Sequence, residues 1–176
     1  KKDNKKKNII ITGSKGQDGI ILSKLLIKKN YKIIGLVKRP KGKKIKNVIY
    51  KRINLSNLEL VSKTIKSLDP KALIHFGSDN PSFFENKKFK KSLYIKNFKE
   101  TKNLIDCFTK FKRGKLILVG SSQMYKKDKT KINLKSKFFS SSPYTKFRID
   151  TFNYMLKQKR KYDLNMVMAI LFNHDS

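Results

Sequence analysis

The sequence has 176 residues, 44 of them Lys or Arg against 12 Asp or Glu, for a formal net charge of +32, and 38% of it is hydrophobic. That hydrophobic share excludes a low-hydrophobicity disordered chain, and the length suits one domain with its own core rather than two. The lone cysteine, Cys107, excludes a disulfide framework and a cysteine-rich zinc site, and apolar runs such as Val167 to Phe172 are far too short to span a bilayer.

Residues 1–7 read as a basic, solvated tail, and residues 8–176 as a single domain. The Ile-rich run Asn8 to Thr12 predicts a buried strand that Gly13 ends. Helical spacing of Ile20, Ile21, Leu25 and Leu26 predicts a helix from Gln17 to Lys29. A second strand is expected from Lys32 to Val37 and a short third from Val48 to Ile53. An amphipathic helix from Leu58 to Leu68 stops at Asp69-Pro70, and Ala72 to Phe76 gives a fourth strand ended by Gly77. A long helical pattern from Lys88 to Phe111 carries Leu93, Asn97, Leu104, Ile105 and Phe108. Lys115 to Gly120 predicts a fifth strand and residues 126–142 an irregular loop. A helix from Pro143 to Tyr162 starts with proline, whose fixed φ suits a first turn, and Asn165 to Phe172 closes the chain as a sixth strand. Continuous apolar strands alternating with helices predict a doubly wound, Rossmann-type parallel sheet with helices on both faces.

The charge itself is weak evidence of a nucleic-acid partner. Nucleic-acid binders concentrate cations on one face or tail, whereas Lys here populates the tail, the first helix, residues 38–46 and the late helix. The expectation is solvated Lys-rich faces, no specific nucleic acid, and some attraction to polyanions in general. No signal-type apolar core follows the Lys-rich start, so a soluble cytoplasmic protein without a membrane partner is expected. The chain begins at Lys1 rather than Met, and its true start is expected upstream. His75, in an apolar strand, reads as a core histidine, and Cys107 as a core residue. No cluster of His, Cys and carboxylates has metal-ligand spacing.

Between the first strand and first helix the sequence reads Thr12-Gly13-Ser14-Lys15-Gly16-Gln17-Asp18-Gly19, a GxxGxxG spacing. Glycine permits the tight turn and lets backbone amides approach a pyrophosphate at the helix N-terminus. Gly13, Gly16, Gln17, Asp18 and Gly19 are therefore candidate cofactor-binding residues, the bland alternative being a tight turn with no ligand. Sites selective for NAD place an acid near the end of the second strand. Here Lys38 and Arg39 follow Val37, which suits the 2′-phosphate of NADP, or else they are two more solvated cations.

With the glycine loop, the segments SSQMY and SPY and the final ILFNHDS resemble the extended short-chain dehydrogenase/reductases, within the NAD-dependent epimerase/dehydratases. The likeness is strongest to GDP-mannose 4,6-dehydratases, through GQDG after the first strand and LFNH with a following acid and Ser. It runs from about Asn8 to Ser176, and it implies that a C-terminal sugar-nucleotide-binding region lies beyond this sequence. It further implies NADP as cofactor, a GDP-mannose-like nucleotide sugar as substrate, lyase chemistry yielding GDP-4-keto-6-deoxymannose, and a homo-oligomer at full length. An NDP-sugar epimerase or reductase, or a non-catalytic cofactor-binding paralogue, are the alternatives.

Carried over by position, the resemblance assigns the hydroxyl that bonds the sugar 4-hydroxyl to Ser121, the catalytic tyrosine to Tyr144, and its usual lysine partner to Arg148. The glutamate expected for elimination falls on Gln123, which hydrogen-bonds but cannot take a proton as a carboxylate does. Arg148 keeps a positive charge beside Tyr144 but is planar and larger than an ammonium. Lys146, two positions from Tyr144, points to the other side of the helix. The acid expected near the adenine falls on Asn54-Leu55. The turn after the fourth strand reads Gly77-Ser78-Asp79-Asn80, in which Gly77 would border the cofactor and Asp79 is a conceivable substitute base. Asn97 matches an Asn of the family's long helix. Asn173 and His174 match its terminal NH pair at the edge of the site.

Overall fold

Alternation along the strands decides which side chains face which layer. In the computed structural model, which describes residues 7–38, 44–78, 91–126, 131–133 and 135–172, four consecutive strand–helix stretches and a final strand follow one another. They are β1 (Asn8–Thr12), α1 (Gln17–Lys28), β2 (Lys32–Val37), β3 (Val48–Arg52), α2 (Leu58–Leu68), β4 (Ala72–His75), α3 (Lys91–Phe111), β5 (Lys115–Ser121), α4 (Pro143–Tyr162) and β6 (Met166–Leu171), with β2 and β3 joined directly. All six strands are parallel, in the order β3-β2-β1-β4-β5-β6. The expected doubly wound sheet is what forms.

Ile10, Ile34, Leu73, Leu116 and Leu118 bury into one layer against Val61 and Ile65 of α2, Leu104 and Phe108 of α3 and Met155 of α4. Ile9, Ile11, Ile33 and Ile74 point the other way, toward Leu22, Leu26 and Ile27 of α1. The period of two thus turns an all-apolar strand into two cores. Each such side chain fully withdrawn from water contributes about 1.5–3 kcal/mol.

Local chemistry sets the helix ends. The Asn57 side chain accepts from Leu60 N–H at 2.9 Å to start α2, and Asp69 closes it in the left-handed conformation (φ 39°) just before Pro70. Ser142 and Thr145 form a capping box at the start of α4, with Pro143 in its first turn. α3 and α4 lie side by side, and Tyr94 Oη donates to Asp150 Oδ2 across the pair at 2.7 Å. This pairing buries Tyr144 and Phe147 against Leu93, Tyr94 and Phe98 of α3.

Several details differ from the sequence reading, and β3, β4 and β6 each end up one residue shorter at an end than expected, β6 at both. α1 stops one residue earlier, with Lys29 as its C-cap. β5 runs on through Ser121, and a single 3-10 turn, Ser122–Met124, follows it. The segment read as irregular, residues 126–142, contributes Phe138 to an antiparallel bridge with Tyr125 just before it; the two rings lie 5.1 Å apart while Phe138 meets Phe152 edge-on. Aromatic packing onto α4 shapes that stretch despite its polar composition. The expected start of the long helix at residues 88–90 lies outside the described residues.

Candidate cofactor cleft and tyrosine site

The strand order changes direction between β1 and β4, and crevices open at such a point beyond the C-terminal strand ends. A cleft of about 270 Å³ lies there. Thr12, Gly13, Lys15 and Gly16 form one wall, Gly77 and Ser78 another, and Leu36, Val37, Lys38, Ile53 and Leu55 the far end. Of the residues expected to hold a cofactor, Gly13, Gly16, Lys38, Leu55 and Gly77 line this cleft. Gln17, Asp18 and Gly19 form the first turn of α1 beside it. Arg39, Asp79, Asn80, Asn173 and His174 lie outside the described residues.

The three glycines differ in what surrounds them. Gly13 has φ +68°, a conformation L side chains rarely adopt, and its carbonyl accepts from Gly16 N–H at 2.9 Å to close the turn. A Cβ on Gly19 would sit 2.4 Å from Gly13 O and 2.7 Å from Ser14 Cα, so this glycine exists for the contact between helix and loop. A Cβ on Gly16 would meet nothing closer than Gly13 O at 3.4 Å. Gly16 is also the N-cap of α1 and supplies no side-chain cap, so the helix begins at the cleft wall without a capping oxygen. These features fit the pyrophosphate of a dinucleotide: room at Gly16 and the positive end of a twelve-residue helix behind it.

Beneath the cleft runs a buried hydrogen-bond chain that sequence reading reduced to a core histidine. Gly77 N–H donates to Thr12 Oγ1 at 3.0 Å, and Thr12 Oγ1 lies 2.6 Å from His75 Nδ1. His75 Nε2 lies 3.0 Å from Thr101 Oγ1, which donates to Asn97 O at 2.9 Å. Because Thr101 spends its proton on Asn97, its oxygen accepts from Nε2–H, and Nδ1 accepts from Thr12. The neutral Nε2–H tautomer satisfies every link. Burial above all, then the positive charges of Arg148 and Lys38, lowers the imidazole pKa to about 3. His75 and Cys107 are both buried, and Cys107 Sγ lies 3.0 Å from Ser62 Oγ.

At the end of β5, Ser121 Oγ accepts from Gln123 N–H at 3.2 Å, which fixes both residues on the 3-10 turn. Tyr144 is buried in the first turn of α4. Arg148, one turn on and also buried, gathers three partners: Nε donates to Tyr144 Oη at 3.3 Å, Nη1 to Val119 O at 2.7 Å, and Nη2 to Ser78 Oγ at 2.8 Å. Ser78 lines the cleft, so the guanidinium ties the tyrosine to the cleft mouth. Lys146 is exposed and donates to Asp150 Oδ2 at 2.9 Å, on the side of the helix away from Arg148.

At the opposite end of the cleft, Asn54 Oδ1 accepts from Ser56 N–H at 3.0 Å, an Asx turn, and Leu55 O accepts from the Asn103 side chain at 2.8 Å. Asn54 therefore holds its own loop, and Leu55 gives the cleft an apolar floor. Lys38, expected to be offered to a 2′-phosphate, lies 3.4 Å from the buried carboxylate of Glu100. Sequence reading missed Glu100, Ser78 and Thr12. Thr12 and Ser78 stood inside quoted segments without a role assigned to them, while Glu100 carries no signal until folding brings its partners near. Among the described residues no group of three His, Cys, Asp or Glu side chains is placed to hold a metal, and no helix is long and apolar enough to cross a membrane.

Comparison with known proteins agrees with this geometry. The family model described as "NAD dependent epimerase/dehydratase family" matches residues 9–176. No curated protein sequence matches the chain. Among solved structures, the chain is similar to a UDP-glucose 4-epimerase from Brucella ovis in complex with NAD, at 19% identity and TM-score 0.85, over 95% of this chain and 52% of that one. It is similar to a UDP-glucose 4-epimerase from Thermotoga maritima with UDP-glucose, at 18% identity and TM-score 0.79, over 92% and 54%. A dTDP-glucose 4,6-dehydratase from Bacillus anthracis in complex with NAD gives 19% identity and TM-score 0.77, over 93% and 54%. At these identities the likeness is one of fold, and the chain spans about half the length of these structures.

Proposed function

Because the chain belongs to the NAD dependent epimerase/dehydratase family, we propose that it is the cofactor-holding part of an enzyme that oxidises a hydroxyl of a nucleotide-linked sugar. The observation that carries this is the Arg148 guanidinium, which bonds Tyr144 Oη and the cleft-lining Ser78 together. When bound, a nicotinamide dinucleotide accepts and returns hydride at a sugar carbon. The chain does the rest. Gly16 and the α1 N-terminus receive the pyrophosphate. Tyr144, with Oη held by the Arg148 guanidinium, takes the proton of the sugar hydroxyl as a phenolate and becomes the neutral phenol as hydride leaves the sugar carbon. Ser121 hydrogen-bonds the same hydroxyl.

The finer reading is dehydration of GDP-mannose with NADP, and it rests on the GQDG and LFNH segments and on Lys38 and Arg39 after β2. Gln123 favours a second reading, an epimerase or reductase on a nucleotide sugar, since neither needs a carboxylate to remove the proton next to the new carbonyl. Loss of such a general base costs about 10²–10⁴-fold in rate. The full protein is expected to self-associate and to work in the cytoplasm.

The test is incubation of the full protein with GDP-mannose and, in separate reactions, NADP and NAD, followed by mass spectrometry of the sugar nucleotide. Loss of one water is the expected result for dehydration. Unchanged mass with a changed sugar marks the epimerase reading. An unchanged sugar across GDP-, UDP- and dTDP-hexoses, with Tyr144→Phe indistinguishable from the unaltered protein, would sink the catalytic assignment.

A further inference from the structure

Beside Lys38, which lines the far end of the cleft, lies a buried carboxylate that no part of the proposed chemistry uses. Glu100, in the middle of α3, has a side chain only 3% exposed. Its Oε1 accepts from Ser56 Oγ at 3.4 Å, while Oε2 makes no hydrogen bond among the described residues. Oε2 instead faces two ammonium groups, Lys38 Nζ at 3.4 Å and Lys96 Nζ at 3.9 Å. A carboxylate withdrawn from water is costly unless a cation stays beside it. Lys38 is therefore drawn back toward α3, although it also lines the cleft immediately after β2.

That position is where a Rossmann-type site distinguishes the two dinucleotides at the adenosine ribose. We propose that Glu100 is a positioning residue that sets the choice between NADP and NAD by acting through Lys38. The inference rests on the dinucleotide reading of the cleft. A 2′-phosphate brings up to two negative charges toward a lysine already shared with a buried carboxylate, whereas a 2′-hydroxyl brings none. The pair thus blunts the preference for NADP that the bare sequence Lys38-Arg39 implies. The acid usually supplied by the end of the second strand comes here from a helix, one side chain removed from the ligand.

The experiment is isothermal titration of the full chain with NADP and NAD, repeated with adenosine 2′,5′-bisphosphate and AMP, which carry the discriminating phosphate without the nicotinamide. Glu100→Gln keeps the shape and removes the charge. It is expected to raise the NADP-to-NAD affinity ratio about tenfold, the size of one charge-assisted hydrogen bond. Lys38→Gln is expected to lower the ratio, because an unshielded carboxylate then meets the phosphate. The double variant is expected to recover most of that loss. If Glu100→Gln does not fold, Glu100→Asp, which keeps the charge but draws it back from Lys38, is expected to raise the ratio in the same direction. An unchanged ratio in whichever of these variants folds, with Lys38 present and both dinucleotides still bound, would overturn the role of Glu100 and leave the cleft reading standing. Failure of the unaltered chain to bind either dinucleotide would remove both.

Discussion

At the scale of single residues, Arg148 combines a structural and a chemical duty that a lysine could not. The guanidinium is a planar fork, and here three of its N–H groups reach different elements: the tyrosine on its own helix, the Val119 carbonyl in β5 and the Ser78 hydroxyl beyond β4. An ammonium on a shorter reach satisfies one of these well. We therefore expect Arg148→Lys, although it restores the residue that the family resemblance leads one to expect, to destabilise the fold by about 1–3 kcal/mol through the acceptors it strands. Urea denaturation of the two proteins checks this, and equal midpoints would show the three bonds to be incidental. The same residue shows the limit of sequence reading. Its adjacency to Tyr144 follows from helical spacing, but a backbone carbonyl such as Val119 O has no signature in a sequence, and neither does a serine that becomes a partner only through sheet order.

At the scale of elements, the loop joining β1 to α1 separates the needs of the fold from those of a ligand. Gly19 is pressed against Gly13 O and Ser14 Cα, whereas the space around Gly16 is open on the cleft side. Gly19→Ala is expected to lower the melting temperature, since backbone atoms must move to admit the methyl. Gly16→Ala is expected to melt close to the unaltered protein and yet bind NADP at least tenfold more weakly, the methyl occupying the pyrophosphate approach. Thermal unfolding with and without NADP reads both, and a Gly16→Ala protein that binds normally would show that no phosphate seats there. The strands and helices themselves were legible: Ile-rich runs closed by glycine and the spacing of apolar residues located every one to within a few residues. What could not be read were features made by pairing between distant elements. The Tyr125–Phe138 bridge lies in a stretch whose composition is polar, and the Lys38–Glu100 pair joins the end of β2 to the middle of α3.

At the scale of the molecule, two electrostatic effects act on stability, and they respond to different variables. The first is the net charge of +32, mostly on exposed lysines, which repel one another in the compact state. Raising ionic strength shortens the screening length from about 30 Å at 0.01 M to about 10 Å at 0.1 M, so the melting temperature is expected to climb over that interval. The second is local and buried. His75 holds its neutral form down to about pH 3 in the fold, against an ordinary value of 6.5 in the open chain. Between those values the unfolded chain carries a proton that the folded chain does not, so stability rises with pH across the window. The contribution is complete above pH 6.5 and is lost as the pH falls toward 3, at up to about 1.4 kcal/mol per pH unit. Surface repulsion fades with salt, but a desolvated imidazole locked between Thr12 and Thr101 does not see the counterions. Melting measured over a grid of pH and salt should therefore show the salt gain at neutral pH together with a decline from pH 7 to 5 that added salt does not remove. A His75→Asn protein, less stable throughout, should show the salt gain without that decline. A decline that salt abolishes would place the proton uptake on the surface instead of at His75.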